Sequence, residues 1–316
     1  MSFEQAATLP LAGLTAAVAL FIKLKITPPS STGEAKSVPE GERRPLLIWG
    51  ASSSVGSYAV QLAKFAGQNH ILGLAGSSAD LARRLGADAV FDYRNGYDAV
   101  KEEILRYLQN RAKASSASVG QLELAFDAVS SDDTVDTAAQ IIHSSSRASG
   151  EPKGRGVITT LLPTSQEKMQ KEVAAPNASP IIKRTQVGTV HAGAKEFGTE
   201  WLRRMLIWAG EGKLELNRVK IMPGGLDGVP EGLHLLKEGK VSGEKLVCES
   251  SFGWKPVKTP LTRHDTRDRP NLRDISMRMK DISYIIAKLM LGKSACPTIP
   301  TRSLAQYPTR SSPCSY

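Results

Sequence analysis

Over the first 250 positions, short continuous apolar runs alternate with stretches whose apolar residues recur at helical spacing. Leu46-Leu47-Ile48-Trp49, bounded by Pro45 and Gly50, predicts a short strand buried on both faces. Val55, Ala59, Leu62, Ala63 and Ala66 then recur as one face of a helix. The alternation continues with a strand over 70–74, a helix over 79–85, a strand over 89–91 and an amphipathic helix over 97–109. A strand over 122–126, a helix over 132–143 carrying Val135, Ala138, Ala139 and Ile142 on one face, and a fifth strand over 156–162 follow. After an excursion to residue 181 come a helix over 197–208, a strand over 219–222, a helix over 229–237 and a last strand over 245–248, which would complete a sixth crossover. Strands alternating with helices call for parallel pairing and right-handed crossovers. The expected fold is therefore α/β, a doubly wound parallel six-stranded sheet.

The ends read differently. Residues 1–26 predict a helix, whose apolar run Leu9–Ile22 has Glu4 before it and no basic residue. It is shorter than the roughly 18 residues of a membrane span, so it reads as a buried helix in preference to a targeting or anchoring segment. Residues 27–44 carry proline, glycine and charge with hardly an apolar side chain, and predict a linker or loop. The net charge of +10 is concentrated in residues 254–316, where twelve Lys/Arg face four Asp/Glu among prolines and serines. That leaves 45–253 as a nearly neutral domain and makes 254–316 a mostly irregular basic tail, which sets nucleic-acid binding aside. Three cysteines give neither a disulfide framework nor a zinc cluster, and a reducing, cytoplasmic setting is expected.

The first strand-to-helix turn, Gly50-Ala51-Ser52-Ser53-Ser54-Val55-Gly56, is where chemistry is expected. In a doubly wound sheet this turn borders the nucleotide crevice, and its backbone must approach a pyrophosphate while the helix N-terminus supplies partial positive charge. Gly50 permits the bend, small side chains keep the loop open, and Gly56 lets the helix lie close to the strand. The plainer alternative is that the serines only cap a helix. Strand before, helix after and two further strand–helix units favour a dinucleotide site. At the end of the second strand, Gly76-Ser77-Ser78 offers no carboxylate for a ribose hydroxyl, and Ser77 and Ser78, with Arg83, Tyr93 and Arg94 in reach, favour NADP(H) over NAD(H). Against this, Ser78 could cap the second helix and Tyr93 could merely pack.

Several segments together resemble a known family: "EQAATLPLAGLTAA", "LLIWGASSSVGSYAVQLAK", "RRLGADAVFDYR", "FDAVSSDDTVDTAAQII", "VGTVH" and "VKIMPGGLDGVPEGLHLLKEGKVSGEKLV". They are similar to the medium-chain dehydrogenase/reductase superfamily, in its zinc-independent quinone oxidoreductase and fungal trans-enoyl reductase branch. The resemblance implies a Rossmann sheet in the order 3-2-1-4-5-6 and an NADPH-dependent reduction of an activated C=C bond, on an enoyl thioester, or of a quinone, without zinc. It implies that Ser53, Ser54 and Val55 face the pyrophosphate, Tyr93 the adenosine end, and Val129 with Ser130 the nicotinamide side. Leu161 and Leu162 would offer backbone contacts to the nicotinamide, and Thr15 would lie near the same ring. It further implies a homodimer through the edge of the Rossmann sheet, placed at Val219–Met222. Family members begin with a GroES-like domain that supplies most of the substrate pocket, whereas residues 1–26 read as the helix leaving it; a sequence truncated at the front and read through at the back is expected.

No catalytic residue is assigned. His191 is a lone loop histidine, Asp127 is expected to anchor a turn, and Asp132 and Asp133 are expected to cap the next helix. Besides an active reductase, two alternatives stand: a nucleotide-binding fragment without turnover, and a cofactor-sensing interaction protein that recruits a partner through its tail.

Overall fold

The structure is a computed structural model of the 316-residue chain and describes residues 1–30, 44–68, 70–114, 121–148, 155–165 and 179–249. Most of the expected linker (27–44) and all of the expected tail (254–316) lie outside the described residues.

Six parallel strands form one sheet: β1 (Leu46–Trp49), β2 (Ile71–Ala75), β3 (Ala89–Asp92), β4 (Leu124–Asp127), β5 (Val157–Thr160) and β6 (Ile181–Arg184), in the order β3-β2-β1-β4-β5-β6. The continuous apolar runs follow from burial on both faces. Leu46, Ile48, Leu124 and Phe126 enter one core, and Leu47, Trp49, Leu72, Leu74 and Ala125 enter the other. The second core is closed by α5 (Tyr97–Ala114) and α6 (Asp132–Ala148) through Val100, Ile104, Val135, Ala138 and Ile142. Capping α6 falls to Ser131: its Oγ accepts from the Thr134 amide at 3.3 Å while the Thr134 hydroxyl accepts from the Ser131 amide at 3.1 Å. Asp132, expected to be the cap, instead accepts from the Ser165 amide and hydroxyl at 2.8 and 2.7 Å.

On the first core lie α3 (Ser54–Phe65), α7 (Lys195–Gly210) and the N-terminal helix, built from α1 (Phe3–Ala7), α2 (Leu9–Ala17) and a wider π-helical turn over Val18–Lys23. Phe3–Lys23 is long and apolar enough to cross a membrane by length and composition, yet 67% of its most apolar window is buried inside the protein. Its partners are α3 and α7, so it packs as a core helix. On α7, the Arg203 and Arg204 guanidinium groups beside Glu200 hold its carboxyl down at about 2. Lowered in the folded state, this group contributes stability above its unfolded value of about 4.5 and loses it as the pH falls toward 2. The site is exposed, so Glu200→Gln should cost less than about 1 kcal/mol at neutral pH and only a small part of that at pH 2, where the carboxyl is about half protonated, measured by urea unfolding at both.

The sixth strand is a correction. Residues 245–248 were expected to complete the sheet; instead Ile181–Arg184 pairs with β5, Val157 opposite Ile181. The expected strands form a separate two-stranded parallel sheet, β7 (Arg218–Met222) with β8 (Glu244–Cys248), bridged by α8 (Val229–Lys237). Val219–Met222 is therefore not the edge of the Rossmann sheet. The edges of that sheet are β3 and β6, which pair only with β2 and β5 among the described residues.

Candidate functional site

Strand order reverses between β1 and β4, and ligands of open parallel sheets bind outside the strand C-termini at such a switch point. The loops flanking it are 50–53 after β1 and 128–131 after β4. Gly50 has φ +71°, a conformation costly for a side-chain-bearing residue. Ala51 is fully buried and its amide donates to the Leu74 carbonyl at 2.8 Å, and the Ser53 amide returns to the Gly50 carbonyl at 2.8 Å. Ser53 is the N-cap of α3: its Oγ accepts from the Gly56 amide at 3.1 Å. A β-carbon on Gly56 would stand 2.0 Å from the Gly50 carbonyl oxygen, so α3 begins in direct contact with the turn.

The capping reading holds for Ser53, and the turn still presents donors beside it. Helix-opening amides have no intrahelical partner. Ser53 satisfies that of Gly56, while those of Ser54 and Val55 have none among the described residues, and residues 52–55 are all half-buried at the surface. The Ser54 Oγ accepts from Asn217 Nδ2 at 2.8 Å, leaving its own proton to donate elsewhere. The result is a cradle of amides and hydroxyls at a helix N-terminus, which fits an anion such as a diphosphate.

Val129 lies against Gly50, its Cγ2 3.2 Å from where a β-carbon on that glycine would be, and is 46% exposed. Ser130 is buried with φ +63°; its Oγ donates to the Asp127 carbonyl and accepts from the Leu161 amide, each at 2.8 Å. Asp127 anchors the turn as expected: Oδ1 accepts from the Val129 and Ser130 amides at 2.9 and 2.8 Å, and Oδ2 from the Thr134 hydroxyl at 2.5 Å. Burial pushes its carboxyl up from the usual range, opposed by those three hydrogen bonds. Leu162, next to Leu161, is exposed.

At the far end of the rim, Tyr93 lies across Gly76, its hydroxyl 2.9 Å from where a β-carbon there would be. Ser77 and Ser78 each share a 2.8 Å hydrogen bond with the hydroxyl of Ser242, and Ser78 makes no side-chain cap on α4 (Ala79–Arg84). Ser242 was not anticipated; it sits in the approach to β8, more than 160 positions away in the chain. Arg83 pairs with Asp80 at 2.8 Å, and Arg94 forks onto Asp92, whose carboxyl it holds down at about 2. Such exposed pairs are weak and open readily to a stronger anion. Thr15 is buried in α2 with its hydroxyl bonded back to the Leu11 carbonyl at 2.6 Å. His191 closes a short 3-10 helix at the surface, and no group of three or more His, Cys, Asp or Glu able to hold a metal occurs among the described residues.

Comparison with known proteins agrees with this fold. The sequence profile of a family described as zinc-binding dehydrogenase matches residues 54–188. The trans-enoyl reductase resD of Aspergillus sclerotiorum is 31% identical over 78% of this chain and 67% of its own, and the trans-enoyl reductase fsr4 of Gibberella fujikuroi is 31% identical over 71% and 59%. The chain thus spans about three-fifths to two-thirds of the length of these relatives. Among solved structures, the quinone oxidoreductase of Pseudomonas syringae superposes with a TM-score of 0.54 at 20% identity, over 78% of this chain and 65% of that one. CurA of Vibrio vulnificus, solved with NADPH, superposes with a TM-score of 0.52 at 19% identity, over 76% and 63%. These likenesses place the fold, and with the sequence relatives they establish that the chain belongs to the medium-chain dehydrogenase/reductase superfamily, in its fungal trans-enoyl reductase branch.

Proposed function

We propose that this chain binds NADPH and serves the reduction of an activated carbon–carbon double bond in an enoyl thioester. The observation that carries the reading is the cradle of the Ser54 and Val55 amides at the switch point, held open by Gly50 and Gly56. The diphosphate would rest there, the adenosine end between Tyr93 and the serines, and the nicotinamide end beside Val129, Ser130 and Leu161. When bound, NADPH would supply the hydride for the double bond. The chain's own residues would orient it: Gly50 and Val129 keep the crevice floor apolar, and Ser130 joins the loops after β4 and β5. No zinc enters the proposal, and no proton donor is assigned.

The phosphate preference is argued from Ser77, Ser78 and Ser242, which gather three hydroxyls beside a strand end, residues 73–79, that itself carries no carboxylate. Hydrogen bonds to a charged group are worth about 1.5–3 kcal/mol each. Replacing Ser77 by Ala should therefore weaken NADPH binding by about 10- to 100-fold and leave NADH binding unchanged, measured by calorimetric titration. Equal losses for both coenzymes would remove the assignment of this subsite.

Activity is tested with crotonyl-CoA and with a benzoquinone as acceptors, following the absorbance of reduced nicotinamide. Turnover of the thioester supports the proposal; turnover of the quinone alone redirects it to quinone reduction. NADPH binding without turnover of either assigns the chain as a binding unit that needs more protein to react. Homodimers would form by pairing of β6 edges at Ile181–Arg184, and a monomer in sedimentation experiments removes that part.

A further inference from the structure

The loops after β4 and β5 are joined by a route that a simple turn would not require. Asp127 is 1% exposed, and each of its three oxygens accepts: Oδ1 from the Val129 and Ser130 amides, Oδ2 from Thr134, and the carbonyl from the Ser130 hydroxyl. That hydroxyl then accepts from the Leu161 amide at 2.8 Å, across to the next strand. To place it there, Ser130 takes φ +63°, which costs a residue with a β-carbon roughly 1–2 kcal/mol. Glycine would make the same bend without strain, so the serine is explained by its hydroxyl, the atom that reaches Leu161. The same bend turns Val129 outward against Gly50 at the switch point. Three loops on the crevice rim are thereby set relative to one another by one buried carboxylate.

Resting on the reading that NADPH binds here, we infer that Asp127 and Ser130 form a positioning relay that fixes the nicotinamide half of the site and leaves the adenosine half untouched. Asp127 is a positioning residue, acting through Ser130. Its oxygens are engaged by Val129, Ser130 and Thr134, so it holds geometry and takes no part in proton transfer. Side chains positioned by such shells lose function when loosened by about an ångström.

The test uses the full chain and two probes, NADPH and 2′,5′-ADP, which carries the adenosine end with its 2′-phosphate and lacks the nicotinamide. Ser130→Gly removes the link to Leu161 while relieving the backbone. It should weaken NADPH by about tenfold, diminish the fluorescence enhancement of bound reduced nicotinamide, and leave 2′,5′-ADP affinity unchanged. Asp127→Asn keeps one oxygen for the two amides and should bind NADPH more tightly than Asp127→Ala. The relay is overturned if Ser130→Gly binds NADPH with native affinity and fluorescence, or if both probes weaken by the same factor. A folded wild-type chain that binds neither probe overturns the cofactor reading itself, a result distinct from either of those.

Discussion

Gly56→Ala is expected to weaken NADPH binding by at least about 100-fold and to destabilise the protein by about 3 kcal/mol or more. The added carbon would stand 2.0 Å from the Gly50 oxygen, 2.9 Å from its carbonyl carbon and 3.0 Å from Ala51 Cα. All three are backbone atoms, and the turn that carries them is pinned by the amides of Ala51 and Ser53 and by the left-handed Gly50. The turn has no rotamer to change, so α3 has to retreat. That helix buries Tyr58, Ala59, Val60, Leu62 and Ala63 completely, and moving it opens the core. Retreat also withdraws the Ser54 and Val55 amides from the cradle, and the loss of two hydrogen bonds to a charged group accounts for the drop in affinity. Gly188→Ala is the control, since a β-carbon there meets nothing within 4 Å and should change neither property. Urea unfolding and calorimetric titration of both variants decide it; a Gly56→Ala protein within threefold of native affinity, by rough count, would show that the turn does not clamp the ligand.

The parts of this structure that could be read in advance are those whose determinants are local. Leu46–Trp49 is apolar throughout because a central parallel strand is covered on both faces, and all four residues are buried. The turn announces itself because glycine is demanded by sterics at Gly50 and Gly56. The sixth strand did not announce itself: Ile181–Arg184 is half-buried along its length and ends in two cations. Lys183 is accommodated by a distant partner, its Nζ donating to the Lys23 carbonyl at 3.3 Å. Val219–Met222 and Lys245–Cys248 have the better strand pattern, but which strands pair in parallel is decided by crossovers and not by the strands themselves. The same limit applies within the site. Ser131 could have been found as a cap from its spacing to Thr134, whereas Ser242 beside Ser77 and Asn217 beside Ser54 depend on folding of the chain across more than 160 positions. Asp127 carried a local signal, two and three residues before the amides it binds, but its connection to Leu161 passes between strands.

Trp201→Ala is expected to cost about 3–5 kcal/mol of stability, the range for removing a buried tryptophan, while changing NADPH affinity by no more than a few-fold. Trp201 is 3% exposed and stacks on Phe21 of the N-terminal helix with ring centroids 4.2 Å apart and 16° between planes. It also meets Trp208 edge-on at 6.1 Å, and Trp208 meets Phe65 of α3 at 5.1 Å, so a line of rings runs from the N-terminal helix through α7 to the helix that carries the cradle. Arg204 lies over the indole at 5.6 Å and is itself held by Glu200 and by the Pro29 carbonyl. Truncation would leave a cavity between two helices, with Met205, packed against Gly13, as the adaptable neighbour able to fill part of it. Trp201→Phe keeps the stack on Phe21 and should recover more than half of the loss. Binding should survive because the cradle is set by β1, Gly50 and Gly56, none of which touches the indole, in contrast to Gly56→Ala, which strikes stability and affinity together. Denaturant midpoints for the two Trp201 variants test this, and a loss below about 1 kcal/mol for Trp201→Ala would mean that the N-terminal helix is held to the domain by its aliphatic contacts with α3 and not by the rings.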